Sequence, residues 1–71
     1  MARCFDGQRL RDARLAADIR PEQLALAVER SVFTLHAYER GLVHPPVNVL
    51  AQLAGVLGRN VDDFLVEKVA A

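Results

Sequence analysis

The chain has 71 residues, 52% of them hydrophobic, with nine basic and nine acidic side chains and a formal net charge of zero. At 7.8 kDa it can bury one small core, and its size excludes a second domain or a cofactor cleft walled by two lobes. The neutral balance means that bulk charge points to neither nucleic acid nor membrane, so any case for such a partner must come from placement. The longest fully apolar run, Leu24 to Val28, is far below the ~18 residues a membrane span needs. Met1-Ala2-Arg3 carries no signal or transit peptide pattern. A single cysteine, Cys4, excludes an internal disulfide and fits a reducing, cytoplasmic setting.

Apolar spacing is helical throughout, and no stretch alternates for long enough to predict a strand. Five helices are expected, with a frayed tail from Glu67 to Ala71. The first covers about Asp6 to Ala17, with Leu10, Ala13 and Ala17 on its inner stripe. The second opens at Pro21, where a missing N–H costs nothing. Its inner face is Leu24, Ala25 and Val28, and Ile19 can staple onto Leu24. The third follows Ser31, a good N-cap, and ends at Gly41, which suits a left-handed closing residue. Leu35 and Tyr38 are its inward pair. Pro45-Pro46 opens the fourth helix, about Pro46 to Leu57. Leu50, Leu53, Ala54 and Leu57 give it i, i+3, i+4, i+7 spacing. Gly58 ends it. Asn60 and Asp63 then read as the capping pair of a fifth helix with Val61, Phe64 and Leu65 inward.

The second and third helices are joined by only a few residues near Glu29-Arg30-Ser31, which forces a steep crossing. A pair of that kind, held by further helices, is the architecture of a helix-turn-helix DNA reader. The residues also match a known pattern. It runs Leu10-Arg11-x-x-Arg14, Glu22-x-Leu24-Ala25-x-x-Val28 and Ser31-x-x-Thr34-Leu35-x-x-Tyr38-Glu39-Arg40-Gly41. Pro45, Leu50-x-x-Leu53-Ala54-x-x-Leu57-Gly58 and Val61-Asp62-Asp63-Phe64-Leu65 complete it. This ordered set resembles the phage-repressor and Cro-like helix-turn-helix family, the xenobiotic-response-element type. The fold class so implied is all-α, a five-helix lambda-repressor-like domain spanning residues 1–71 with its core in about 6–66.

The resemblance implies roles for individual residues. Arg14 and Glu39 correspond to a partly buried structural ion pair. Val32, Phe33, His36 and Ala37 correspond to the groove-facing positions of the third helix. Arg20, Arg30, Ser31, Thr34, Arg40 and His44 are the candidates for the DNA backbone, with Arg9 or Arg11 as further possible cations. The reading face departs from the usual one. Bases are mostly read by Arg, Asn, Gln, Glu or Lys, and here His36 is the only strongly polar reader. Pro21, Glu29 and Arg30 stand where the family often has Gln, Gly and an apolar residue, and Leu42-Val43 stand where it often has basic residues. Each arginine and histidine also has a plain alternative as a solvated surface charge.

Chemistry beyond binding finds little footing. Cys4 has no orienting partner pair, and Cys4, His36 and His44 lack zinc spacing. Asp62-Asp63 suits a helix dipole better than a metal, and no phosphate-cradling glycine loop is present. The expectation is therefore a non-enzyme without metal or cofactor: a sequence-dependent regulator, most simply a repressor. It would bind double-stranded DNA as a homodimer, in the cytoplasm of a bacterium (nucleoid-associated) or encoded by a phage. Val66 and Val69 of the fifth helix, with the Gly58-Arg59 turn, are its candidate dimer contacts. The alternative is a protein-interaction module, antitoxin-like or adaptor-like, that docks a protein partner on apolar residues of the second and third helices and the segment after them.

Overall fold

A computed structural model describes residues 2–68. The order is β1 (Ala2–Phe5), α1 (Gly7–Ala16), α2 (Pro21–Ala27), α3 (Val32–Glu39), α4 (Val47–Leu57), a 3-10 turn (Val61–Phe64) and β2 (Leu65–Lys68). Among the described residues there are four α-helices, not five, and the fold is mostly helical rather than all-α. Its two ends form an antiparallel pair, with Cys4 opposite Val66 and Phe5 opposite Leu65. The fifth helix is replaced by one 3-10 turn because Leu65 already has extended backbone. From there the chain enters a ladder whose inner end is closed by the Asp6 N–H donating to the Phe64 carbonyl at 2.8 Å. The Asn60–Asp63 pair does form, Asp63 accepting from the Asn60 backbone N–H at 2.9 Å, but it opens the 3-10 turn rather than an α-helix. Cys4, expected in a loose terminus, is half-buried in β1. Val66 lies on β2 rather than on a helix, and Val69 lies outside the described residues.

The core is a single cluster. Leu10, Leu24, Val28, Leu35, Val49, Leu53 and Phe64 are its fully buried side chains, one or more from every helix and from the 3-10 turn. Phe5, Ile19, Val32, Val61 and Leu65 pack around it. Ala17, expected on the inner stripe of α1, is exposed: it is the closing residue after the last helical turn, where the chain has left the stripe.

All four helices end in the same way. In each, a left-handed residue donates its N–H back three residues, and the next residue donates back five, the Schellman closure. The closing residues are Asp18 (φ 56°), Glu29 (φ 56°), Gly41 (φ 75°) and Gly58 (φ 66°). The longer bonds are Ile19 to Arg14, Arg30 to Ala25, Leu42 to Ala37 and Arg59 to Ala54. A side chain in this region costs about 1–2 kcal/mol, and replacing it by glycine costs ~0.4–1 kcal/mol through the unfolded chain. Glu29→Gly is therefore expected to stabilise the domain by roughly 0.5–1 kcal/mol, raising the thermal midpoint by ~2–8 °C. A melt followed by circular dichroism checks this, and an unchanged or lower midpoint contradicts it.

Candidate nucleic-acid interface

The geometry of α3 follows from its sequence order. Leu35, Tyr38 and Glu39 are buried, and Val32, one turn before Leu35, is half-buried against the core. The opposite stripe is Phe33, His36, Ala37 and Arg40, again at i, i+3, i+4, i+7 spacing. Phe33, His36 and Arg40 are exposed and Ala37 is half-buried. Three of the four residues expected to face the groove thus stand together. Val32 does not join them, because its position on the helix places it at the edge of the inner stripe.

The start of α3 is locked. Ser31 Oγ accepts from the Thr34 backbone N–H at 3.1 Å and shares a 3.0 Å hydrogen bond with Thr34 Oγ1. Both hydroxyls expected at phosphates are thus engaged in capping. Arg20 is exposed immediately before α2, with its backbone N–H held by Gln23 Oε1 at 3.0 Å. Arg30 is exposed in the turn, and its Nη1 donates to the Glu29 carbonyl at 3.0 Å. Arg40 closes α3 on the outer stripe. His44 packs beside β1: its ring lies 6.1 Å from the Phe5 ring, tilted by 56°. It ties the segment after α3 to β1.

The aim of α3 is set from behind by an ion pair. Arg14 Nε donates to Glu39 Oε2 at 2.7 Å and Nη2 donates to Oε1 at 3.3 Å. Nη1 donates to the Ile19 carbonyl at 3.0 Å. The two side chains are 8% and 3% exposed, so a forked, charge-assisted pair joins α1, the turn before α2 and the far end of α3. No buried side-chain nitrogen or oxygen among the described residues lacks a partner.

This arrangement also brings forward residues that sequence reasoning left at the margin. An open groove between the start of α1 and the end of α3 is lined by Gln8 and Arg11 on one side and His36 and Arg40 on the other. Arg11 is exposed there. The signal was present, because Arg11 is one turn before Arg14 and neighbours it on the helix surface. Wherever Arg14 meets α3, Arg11 must lie close by. Among the described residues no group of His, Cys, Asp and Glu could hold a metal ion, and no helix is long and apolar enough to cross a membrane.

Solved structures share this fold. The P22 c2 repressor, seen in complex with a synthetic operator, is 28% identical with a TM-score of 0.75, the match covering 79% of this chain and 85% of that one. The clp gene regulator ClgR from Corynebacterium glutamicum is 31% identical with a TM-score of 0.78, covering 82% and 62%. The restriction-modification controller protein C.AhdI from Aeromonas hydrophila is 28% identical with a TM-score of 0.76, covering 82% and 84%. No curated protein sequence matches the chain. The family model described as "Helix-turn-helix domain" matches residues 7–65, nearly the whole of the folded body, and the chain belongs to that family, in its phage-repressor and Cro-like branch.

Proposed function

We propose that this domain is a sequence-dependent DNA-binding transcription regulator, a repressor that occupies a two-fold operator as a homodimer in the cytoplasm. One observation carries the reading. Phe33, His36 and Arg40 stand exposed on one stripe with Ala37 half-buried between them, while the other side of the same helix is core. A single helix presented in this way fits the major groove. The P22 c2 repressor, similar in fold, is seen in complex with a synthetic operator, which supports DNA as the partner.

In this reading α3 enters the groove with Phe33, His36 and Ala37 at base edges. Arg40 and Arg11 grip the phosphates at one end, and Arg20 and Arg30 those at the other. Ser31 and Thr34 contribute by fixing the helix start. Two copies place their α3 helices in half-sites about one helical turn apart. Repression then follows from occupancy of a promoter.

The test is selection from a random duplex pool, followed by titration of the recovered site at two salt concentrations. With these four phosphate contacts per protomer, affinity of the dimer is expected to fall by ~10⁴-fold between roughly 50 and 200 mM salt. Arg40→Ala should weaken binding to all sequences alike and flatten the salt slope by about one per protomer. His36→Ala should instead change base preference. Recovery of no enriched palindrome overturns the proposal.

A second reading, a protein-docking module, is favoured by one specific observation. Leu26, Leu42 and Val47 are 79%, 68% and 85% exposed, an unusual load of free apolar surface near the helix pair. Partner capture insensitive to salt would support it and oppose the DNA reading.

A further inference from the structure

Resting on the DNA-binding reading above, we propose that Phe33 is the specificity residue of this domain. It reads the C5-methyl group of a pyrimidine, and so accepts 5-methylcytosine where it accepts thymine. Phe33 is the second residue of α3 and is 84% exposed. The fold makes no use of it, since neither the buried core nor the half-buried layer around it contains this ring. Residues near the start of a recognition helix are the ones that reach base edges. A bare aromatic ring at that place is a feature without a structural purpose.

Its surroundings favour apolar reading. The Ser31 and Thr34 hydroxyls, the other polar groups of the first turn, are bonded to each other and to the helix backbone. Val32 is half-turned into the core, and Ala37 offers only a methyl group. His36 lies nearly one turn further along. The base facing the first turn of α3 therefore meets chiefly the hydrocarbon of Phe33, with the Ser31 and Thr34 hydroxyls held back by their capping bonds.

In the major groove the only apolar projection from any base is the C5-methyl of thymine. Cytosine presents a C5–H at the same point of the ring, and methylation of that carbon restores the projection. A phenyl ring cannot distinguish a thymine O4 acceptor from a cytosine N4 donor by hydrogen bonding, because it has neither function. Recognition at this position thus depends on the methyl group rather than on which pyrimidine bears it. Cytosine methylation would then create half-sites instead of blocking them.

The experiment uses the palindrome recovered by selection. At each thymine in turn, the duplex is synthesised with thymine, deoxyuridine, cytosine or 5-methylcytosine (with the matching purine), and affinity is read by fluorescence anisotropy. At one position per half-site, thymine and 5-methylcytosine should bind alike, and deoxyuridine and cytosine should each bind about fourfold more weakly per methyl lost, the value of one buried methylene. In Phe33→Ala these differences should vanish while the circular dichroism melt stays unchanged. Loss of the methyl dependence in His36→Ala but not in Phe33→Ala would overturn the proposal, as would equal binding of thymine and deoxyuridine at every position by the unaltered protein. Strong binding without methyl dependence sinks this inference alone, whereas absence of any preferred duplex sinks the DNA-binding reading beneath it.

Discussion

Glu39→Ala is expected to remove about 3–5 kcal/mol of the domain's stability, roughly half of what a chain of this size holds. The substitution leaves the Arg14 guanidinium buried, its side chain only 8% exposed, with the Ile19 carbonyl as its one remaining partner. Stranding one charge of a buried pair costs about 3–5 kcal/mol. A domain of this size has only roughly 4–10 kcal/mol in all. Urea titration followed at 222 nm reads the loss directly, and a change below about 1 kcal/mol would contradict it. The companion experiment removes both charges. Arg14→Met with Glu39→Leu should restore folding to near the original level, since well-packed apolar pairs often match the ion pair they replace. The double variant also separates two roles. If it folds but binds DNA poorly, the fork aims α3 as well as holding it. If its DNA affinity is intact, the pair is a clamp and the surrounding core supplies the aim.

The helical body was legible because its core is periodic. Leu24, Ala25 and Val28, or Leu50, Leu53, Ala54 and Leu57, announce both a helix and the face it buries. Gly41 and Gly58 mark two closures for the same reason, as residues free to adopt positive φ. Asp18 makes an identical closure without any such mark, so the common ending of the four helices became visible only in the backbone. The terminal strands could not be read. Each has four residues, too few to display alternation, and their pairing joins opposite ends of the chain. The Asn60–Asp63 pattern misled because a side chain accepting from a backbone N–H three residues earlier serves a 3-10 turn as well as an α-helix.

The site was legible to a different degree. Spacing alone places Phe33, His36, Ala37 and Arg40 on one stripe once Leu35 and Tyr38 are taken as core. The pairing of Arg14 with Glu39 came from resemblance, because two charges 25 residues apart have no local signal. Val32 sits at the boundary between inner and outer faces, half-buried against the core, where a small rotation of the helix decides. His44 was assigned by its nearness in sequence to α3, and its contact with Phe5 depends on a strand that was not foreseen.

The second large effect concerns a residue with no side chain. Gly7 opens α1 and is buried, and a Cβ built on it would fall inside the Tyr38 carbonyl oxygen, 2.6 Å from the Glu39 carbonyl oxygen and 2.8 Å from its carbon. All three are backbone atoms at the end of α3. They cannot turn aside as a side chain would, and the Tyr38 carbonyl is already committed to the Gly41 N–H at 3.1 Å. Helix propensity argues the other way, favouring alanine over an interior glycine by ~1 kcal/mol. The steric term should prevail, because relieving it means moving α1 off α3 and stretching the Arg14–Glu39 fork. Gly7→Ala is expected to cost about 3 kcal/mol, at the upper end for overpacking, and to lower the thermal midpoint by ~12–24 °C. Gly55→Ala supplies the control. It lies within α4 with nothing within 4 Å of a new Cβ, so propensity acts alone and should stabilise by roughly 0.5–1 kcal/mol. Opposite signs for the two glycines are the signature of a helix pair held at backbone contact. A Gly7→Ala variant as stable as the original would mean that α1 and α3 can separate freely, and that the orientation of α3 is not set by this seam.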